Sequence, residues 1–172
     1  MHPRQQIRAA VRDVIAAALP ELANRIHVHR SVPLARGRLP AILIYAREER
    51  LDDAYQADPG ARRRILTLAI EIVAAGEAAH EEADALCAQI EAALEADETL
   101  SHRAEGLRIL RAEIEQDGEG ETPLLACRIV VEVAYWTLWQ PPSPGSRPSL
   151  VLYSIAPEIG RAFEDRYQPI DA

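Results

Sequence analysis

Two histidines in a short alternating segment are the first residues whose types and spacing could do chemistry. His27 and His29 are two residues apart in the segment Ile26–Arg30, and residues at that spacing lie on the same face of a β-strand. Such a pair could supply two ligands to a metal ion, but no cysteine or carboxylate adjoins it in the sequence to complete a site. We therefore expect two polar positions on a half-exposed strand, and a small metal-binding enzyme is the alternative hypothesis.

The rest of the sequence contains no motif that is typical of an active site. His80-Glu81-Glu82 resembles the start of the zinc-protease helix motif, but Asp84 stands where that motif requires its second histidine. Neither a G-x-S-x-G nucleophile turn nor a glycine-rich phosphate loop occurs among the 8 glycines. We predict no catalytic residue, no cofactor and no metal ion.

The composition restricts the possible partners. The 172 residues carry a formal net charge of −8, and an acidic surface repels the DNA backbone, so we expect no sequence-specific nucleic-acid partner. No apolar run reaches the roughly 20 residues of a membrane span, and no signal segment follows the first residues, so we expect no membrane contact and synthesis in a cytoplasm. Cys87 and Cys127 lie in apolar runs and are interpreted as buried small hydrophobic residues, although an oxidising compartment would allow one disulfide.

Hydrophobic periodicity predicts two helices and five strands. A helical period indicates one helix from Pro3 to Pro20 and a second over Glu77–Ala96. Alternation indicates strands at Ile26–Arg30, Ala41–Ala46, Arg63–Ala74, Leu107–Glu115 and Leu125–Leu138. A break in the alternation near Ile109 indicates a β-bulge. The order α-β-β-β-α-β-β predicts an α+β fold, in which an antiparallel or mixed sheet of about five strands carries both helices on one face.

Two polar segments lie outside these elements. Residues Glu48–Ala61 contain the turn signal Asp58-Pro59-Gly60 and predict a long, exposed hairpin loop. Residues 140–149 are rich in proline and predict a semi-rigid linker. We therefore expect an α+β domain over residues 1–139, the linker, and a C-terminal extension over residues 150–172 that docks on its own or a neighbouring subunit.

The basic residues around the predicted hairpin are candidates for a protein interface. All 19 basic side chains are arginine, and arginine forms bidentate pairs with carboxylates and stays charged when it loses water. Each could equally be a solvated surface residue. Together with nearby carboxylates and aromatic residues, the candidates for contact with other subunits or with a tube are Arg36, Arg38, Arg47, Glu48, Glu49, Arg50, Asp52, Asp53, Tyr55, Arg62, Arg64, Trp139, Tyr153 and Phe163.

Aromatic residues end the last predicted strand. Trp136 and Trp139 stand just before the proline-rich segment. They could cap the hydrophobic core or anchor a partner, because buried aromatic residues dominate protein interfaces. We expect core capping to be their main role.

The order of the elements is similar to that of a known family. The N-terminal helix precedes a strand with Arg30-Ser31 and then the strand entry Leu39-Pro40-Ala41-Ile42-Leu43-Ile44-Tyr45. An acidic hairpin, the strand Leu66–Val73, an Ala/Glu-rich helix and a closing hairpin that ends in Val133-Ala134-Tyr135 follow. Over about residues 3–138 the chain resembles the tail-terminator family of long-tailed bacteriophages and prophages, the minor tail protein U type. The residues after Trp139 extend beyond the compact core of that family.

The resemblance implies a structural role in a virion. Members of the family form a hexameric ring on the head-proximal end of a finished tail tube, stop its growth and present the surface to which the filled head attaches. For this chain the resemblance implies assembly with copies of itself, with the tail-tube protein and with head–tail connector proteins, after synthesis in a bacterial cytoplasm. A head-completion or neck protein of the same virion is the alternative.

Overall fold

A computed structural model describes residues 2–28, 36–56, 60–117, 124–139, 152–153, 157 and 159–169. They belong to two units of the chain, residues 1–139 and residues 140–172. The predicted linker over residues 140–149 lies outside the described residues. No helix in the described ranges is long and apolar enough to cross a membrane.

The first unit is built from five strands and two α-helices. The strands are β1 (Ile26–Val28), β2 (Ala41–Gln56), β3 (Gly60–Ala75), β4 (Gly106–Asp117) and β5 (Leu124–Trp139), and the helices are α1 (Pro3–Ala18) and α2 (Ala79–Ala96). The sheet has the order β1-β2-β3-β5-β4. β1 runs parallel to β2, and the other neighbouring pairs are antiparallel. The predicted α+β fold with a mixed sheet and two main helices is confirmed.

Local sequence signals set the limits of α1. The His2 side chain accepts a hydrogen bond from the Arg4 amide, and the Gln5 side chain accepts one from the His2 amide, so this capping box satisfies N–H groups of the first turn. Pro3 occupies the first turn, where its missing N–H has no cost. α1 ends before Pro20, which begins a short 3-10 helix over Pro20–Arg25, because proline cannot continue an α-helical hydrogen-bond ladder.

Alternate side chains of β3 and β5 face the helices and form the core together with them. We call this side of the sheet the helix face and the opposite side the open face. The inward residues of the two strands are Leu66, Leu68, Ile70, Ile72, Cys127, Ile129, Val131, Val133 and Tyr135, and all are buried. The alternation predicted for both strands is therefore confirmed.

The long hairpin differs from the prediction, because its polar segment is a pair of strands and not a loop. β2 continues to Gln56 and β3 begins at Gly60. Register shifts between Ala46 and Glu48 and between Leu51 and Gln56 break the alternation of β2, which makes its sequence look irregular. Cross-strand contacts between opposite charges stabilise this part of the hairpin where apolar burial is missing.

The predicted bulge in β4 is confirmed. The register of β4 against β5 shifts between Ile109 and Arg111. The bulge lies in an edge strand, where such irregularities are common.

The second unit contains little regular structure in its described residues. β6 (Leu152–Tyr153) pairs with β7 (Gln168–Pro169) in antiparallel fashion, and a 3-10 helix covers Arg161–Arg166. The Gly160 amide donates a 2.8 Å hydrogen bond to the Tyr167 hydroxyl.

Two thiols meet between α2 and β5. Cys87 and Cys127 are free and buried, and their Sγ atoms are 2.7 Å apart. Burial, together with the hydrogen bond to Cys127, raises the pKa of Cys87 above its ordinary value. The prediction that both cysteines are buried small residues is confirmed.

Truncation of a core isoleucine should destabilise the first unit strongly. Ile70 is fully buried, whereas Ile114 is 59% exposed at the edge of the sheet. We expect Ile70→Ala to lower the free energy of unfolding by about 2–5 kcal/mol, since the substitution removes apolar contacts and leaves a cavity. The matched control Ile114→Ala should change it by less than about 0.5 kcal/mol. Urea unfolding followed by circular dichroism measures both, and equal losses would contradict this description of the core.

The raised pKa of Cys87 should make stability depend on alkaline pH. The unfolded thiol ionises near about pH 8.5, and the folded thiol ionises at a higher pH because its pKa is raised. Its contribution to stability is therefore fully present below the unfolded pKa and is lost as the pH rises toward the folded pKa. Between pH 8.5 and 10 we expect the wild type to lose about 1–2 kcal/mol more unfolding free energy than Cys87→Ala. Parallel pH profiles of the two proteins would contradict this expectation.

Candidate protein interface

The sheet extends past β4 at one end. β4 begins at Gly106, which is opposite Ala134, so β5 continues from Tyr135 to Trp139 with β3 as its described partner. We call this end, which comprises residues 55–56, 60–64 and 135–139, the distal end. Residues of β2, β3 and β5 meet there and alternate between the open face and the helix face.

On the open face of the distal end, Arg63 joins two carboxylates. Its Nε and one terminal nitrogen donate to Glu105 at 2.9 and 3.1 Å, and its other terminal nitrogen donates to Asp52 at 2.6 Å. Hydrogen bonds from Arg63 lower the pKa of Glu105 below its ordinary value. The same contacts, first with Glu105 and then with Asp52, raise the pKa of Arg63. This guanidinium is therefore committed to contacts within the subunit.

Aromatic side chains surround Arg63 and remain exposed. The Arg63 guanidinium carbon lies 5.3 Å from the centre of the Tyr55 ring, and the Tyr55 and Trp136 rings meet edge to face with 6.4 Å between their centres. Tyr55 is 55% exposed, Trp136 is 47% exposed and Leu138 on the same face is 76% exposed. Exposed large apolar side chains that pack around a fixed arginine side chain are typical of a surface that binds another protein.

On the helix face of the distal end, Glu49 accepts several hydrogen bonds. Arg64 donates to Glu49 at 3.1 Å and to the Thr137 hydroxyl at 2.9 Å. The Tyr135 hydroxyl also donates to Glu49. Burial raises the pKa of Tyr135, and the hydrogen bond to Glu49 adds to the shift. The α1 residue Arg4 approaches Glu49 to 3.7 Å, so this network connects the start of the helix to the sheet.

The tryptophans do not both have the predicted role. Trp136 is about half exposed on the open face, so the expectation that it caps the core is wrong. Its register opposite Arg63 directs it away from the helices. Trp139 is partly buried, and the Arg62 guanidinium carbon lies 4.6 Å from the centre of its ring, at a distance suitable for a cation–π contact.

The structure brings several of the predicted interface residues together. Those at or next to the distal end are Glu49, Asp52, Asp53, Tyr55, Arg62, Arg64 and Trp139. Arg50 lies between Glu49 and Asp52, and Arg47 and Glu48 lie earlier in β2. Arg38 belongs to a 3-10 helix that precedes β2 at the opposite end of this strand. Arg36 starts that 3-10 helix, and its side chain lies outside the described residues. Tyr153 and Phe163 belong to the second unit.

The arginines and carboxylates of the hairpin are not separated into a basic base and an acidic tip. Arg62 and Arg64 lie close to the start of β3. Asp52 and Glu49 are paired with Arg63 and Arg64 of the same subunit. These carboxylates are therefore already used within the chain, because the antiparallel register places them across from the arginines.

The sequence-based candidates omitted Arg63 and Leu138 of this surface, and core capping was expected to be the main role of Trp136. Strand alternation could have shown that Arg63 lies on the opposite face from Arg62 and Arg64. It could also have paired Trp136 with Leu138, two residues apart. The contact with Tyr55 depends on the register of β2, and two register shifts hide that register.

A shallow pocket of about 370 Å³ continues the open face toward β4. Arg50 and Arg108 lie on either side of Glu132, with nitrogen–oxygen distances of 3.7 and 2.9 Å. Arg63 and Glu105 also line the pocket. The pocket thus presents paired charges. In the described part of the chain, no three histidine, cysteine or acidic side chains converge as metal ligands, and His29 lies outside it.

Comparison with known proteins leaves the family open. No known protein family and no curated protein matches the chain. Among solved structures, a chain described as "Virion of native gene transfer agent (GTA) particle" is similar, with a TM-score of 0.38 and 16% identity over 74% of this chain and 93% of that chain. A similarity of this size establishes neither the fold nor the function of the present chain.

Removal of the Arg63 guanidinium should destabilise the distal end. Arg63→Gln leaves Asp52 and Glu105 without their shared partner, and we expect a loss of about 1–3 kcal/mol of unfolding free energy. Arg111 is the control, because it pairs with Glu113 but is 58% exposed. Arg111→Gln should cost less than about 0.5 kcal/mol. Urea unfolding followed by tryptophan fluorescence measures both variants, and an equal cost would show that the Arg63 contacts are no stronger than ordinary surface pairs.

Proposed function

We propose that the chain is a structural protein of a phage-like particle, a tail terminator that forms a ring on the tail tube. The ring ends polymerisation of the tube and offers the surface to which the filled head attaches. The proposal begins from the resemblance over residues 3–138. The α+β order on which that resemblance depends is present in the structure.

The observation that carries the proposal is the exposed distal end. Among the described residues of the first unit, the exposed large hydrophobic side chains lie at the distal end or on strands β2 and β4. They are Leu51, Tyr55, Leu110, Ile114, Trp136 and Leu138. An enzyme needs a concave site with convergent polar groups, whereas here the apolar groups project outward from a sheet. Tryptophan, tyrosine and arginine are the residue types most enriched at sites that dominate protein binding.

Charge also favours a protein partner. The formal net charge of −8 opposes contact with nucleic acid, and Arg63, the cation at the centre of the exposed aromatic residues, is neutralised by two carboxylates. The distal end therefore offers an apolar, internally neutralised surface, and such a surface loses little solvation energy on binding. We assign this surface to the contact with the end of the tail tube.

Trp136→Ala should weaken binding to tail tubes. Truncation of an interface tryptophan costs about 2 kcal/mol or more, which corresponds to a decrease in affinity of at least about 30-fold. The control is Arg12→Ala on α1, whose side chain is 48% exposed and pairs with the adjacent Asp13. Co-sedimentation with tubes assembled from the tail-tube protein of the same particle measures the affinity, and the final tube length measures termination.

Three results distinguish the hypotheses. The tail-terminator hypothesis is supported if the wild-type protein binds tubes and shortens them, and if Trp136→Ala loses both effects while Arg12→Ala keeps them. If the protein binds purified heads but not tubes, the neck-protein hypothesis replaces the tail-terminator hypothesis. A wild-type protein that binds neither particle overturns the structural role altogether.

A further inference from the structure

Two edges of the sheet have no described partner strand. β1 pairs with Ile42–Ile44 only, so the outer side of β2 from Tyr45 to Gln56 is unpaired in the described part of the first unit. The outer side of β4, from Gly106 to Asp117, is likewise without a described partner. An unpaired edge presents backbone N–H and C=O groups that can extend a sheet into another chain.

The strand directions make these two edges complementary. β2, β3, β5 and β4 are successive antiparallel neighbours, so β2 and β4 run in opposite directions. If a second copy is placed beside the first in the same orientation, its β2 edge meets the β4 edge as an antiparallel neighbour. Such a contact is heterologous, and repetition of it closes a ring when the rotation between copies permits.

Apolar side chains support a buried contact at both edges. Leu51 on β2 is 36% exposed, and on β4 Leu110 is 39% exposed and Ile114 59% exposed. Natural edge strands normally carry charge, proline or bulges that discourage pairing. β4 has its bulge at Leu110 and charged residues beside these apolar groups, so this edge is suited to a partner whose charges match rather than to any exposed strand.

The charges along the two edges also match in the antiparallel sense. β4 has arginines in its first half and carboxylates in its second half. The free part of β2 has Arg47, Glu48 and Arg50 before Asp52 and Asp53. Arg50, Glu49 and Asp52 also contact Glu132, Arg64 and Arg63 of the same chain. Glu48, Thr67, Glu132 and Arg108 lie at one level of the sheet. Antiparallel pairing of two copies at equal height therefore brings Arg108 of one edge toward Glu48 of the other. The charged residues of β4 are Arg108, Arg111, Glu113 and Glu115.

We propose that the β4 edge of one subunit pairs with the β2 edge of the next, and that this contact builds the ring. The proposal rests on the ring-forming function given above and names the surface through which copies meet. The distal end stays available to the tube, because it lies at the end of the strands and β4 does not reach it.

A charge exchange tests the contact. Arg108 is 73% exposed, and Glu48, which lies at the same level of the sheet, is exposed on the free part of β2. Either Arg108→Glu or Glu48→Arg places like charges across the interface, and we expect each to lower the association constant between subunits at least about tenfold. The double variant restores opposite charges and should return to within about threefold of the wild type. The control Arg12→Glu on α1 should have no effect.

Light scattering over a range of concentrations measures the native mass, and chemical cross-linking measures association between subunits on tail tubes. A thermal melt of each variant establishes that the subunit is folded. Weaker association between subunits in each single variant, with recovery of association in the double variant, supports the edge contact. A wild-type ring that none of these substitutions changes overturns the edge contact and leaves the tail-terminator function standing. A wild-type protein that stays monomeric both free and with tubes overturns the two proposals together.

Discussion

β3 and β5 pair along their whole length, from Gly60 opposite Trp139 to Ala75 opposite Leu124, without a register shift. This ladder fixes the direction in which every side chain of the two central strands points, because a slip by one residue would move each of them to the other face. The helices pack on one side of it, and the ion pairs and exposed aromatic residues lie on the other side or at its end. Without this uninterrupted pairing, neither the core nor the distal end would have a defined surface.

The charged residues of the sheet differ in how many contacts they make and in how exposed they are. Arg63, Arg64 and Arg128 each contact two or more carboxylate or hydroxyl groups across strands. The contacts of Arg63 and Arg128 lie on the open face of the sheet, which also carries the buried residues Ala69 and Val130. Residues on the unpaired edges, such as Arg108 and Glu115, remain largely exposed. The arginines with the most contacts within the subunit are therefore not the ones that are most exposed on the sheet edge.

The parts of the fold that follow a simple period were predictable from the sequence. β3 and β5 alternate over their apolar lengths, and α1 has a proline near each end, so their types and faces followed from local physics. The bulge of β4 was also visible, because Ile109 and Leu110 break the alternation. The extent of β2 was not predictable, since its outer half is polar and two register shifts remove the period. The contacts of Arg63 with Asp52 and Glu105 depend on that hidden register and on a residue 42 positions away in the sequence, which no local pattern encodes.

The run Arg62-Arg63-Arg64 has a consequence for how the hairpin finds its alignment. Since neighbouring positions carry the same side chain, a β3 strand displaced by one residue would still offer an arginine to most of the carboxylates across from it. Electrostatic attraction alone thus fails to discriminate between the native alignment and its nearest competitors. Discrimination must come from the aliphatic stretch that follows, Ile65–Ile72, where displacement would expose the residues that are now fully buried. In this hairpin, burial of the apolar residues sets the strand register, and that register determines which carboxylate each arginine contacts.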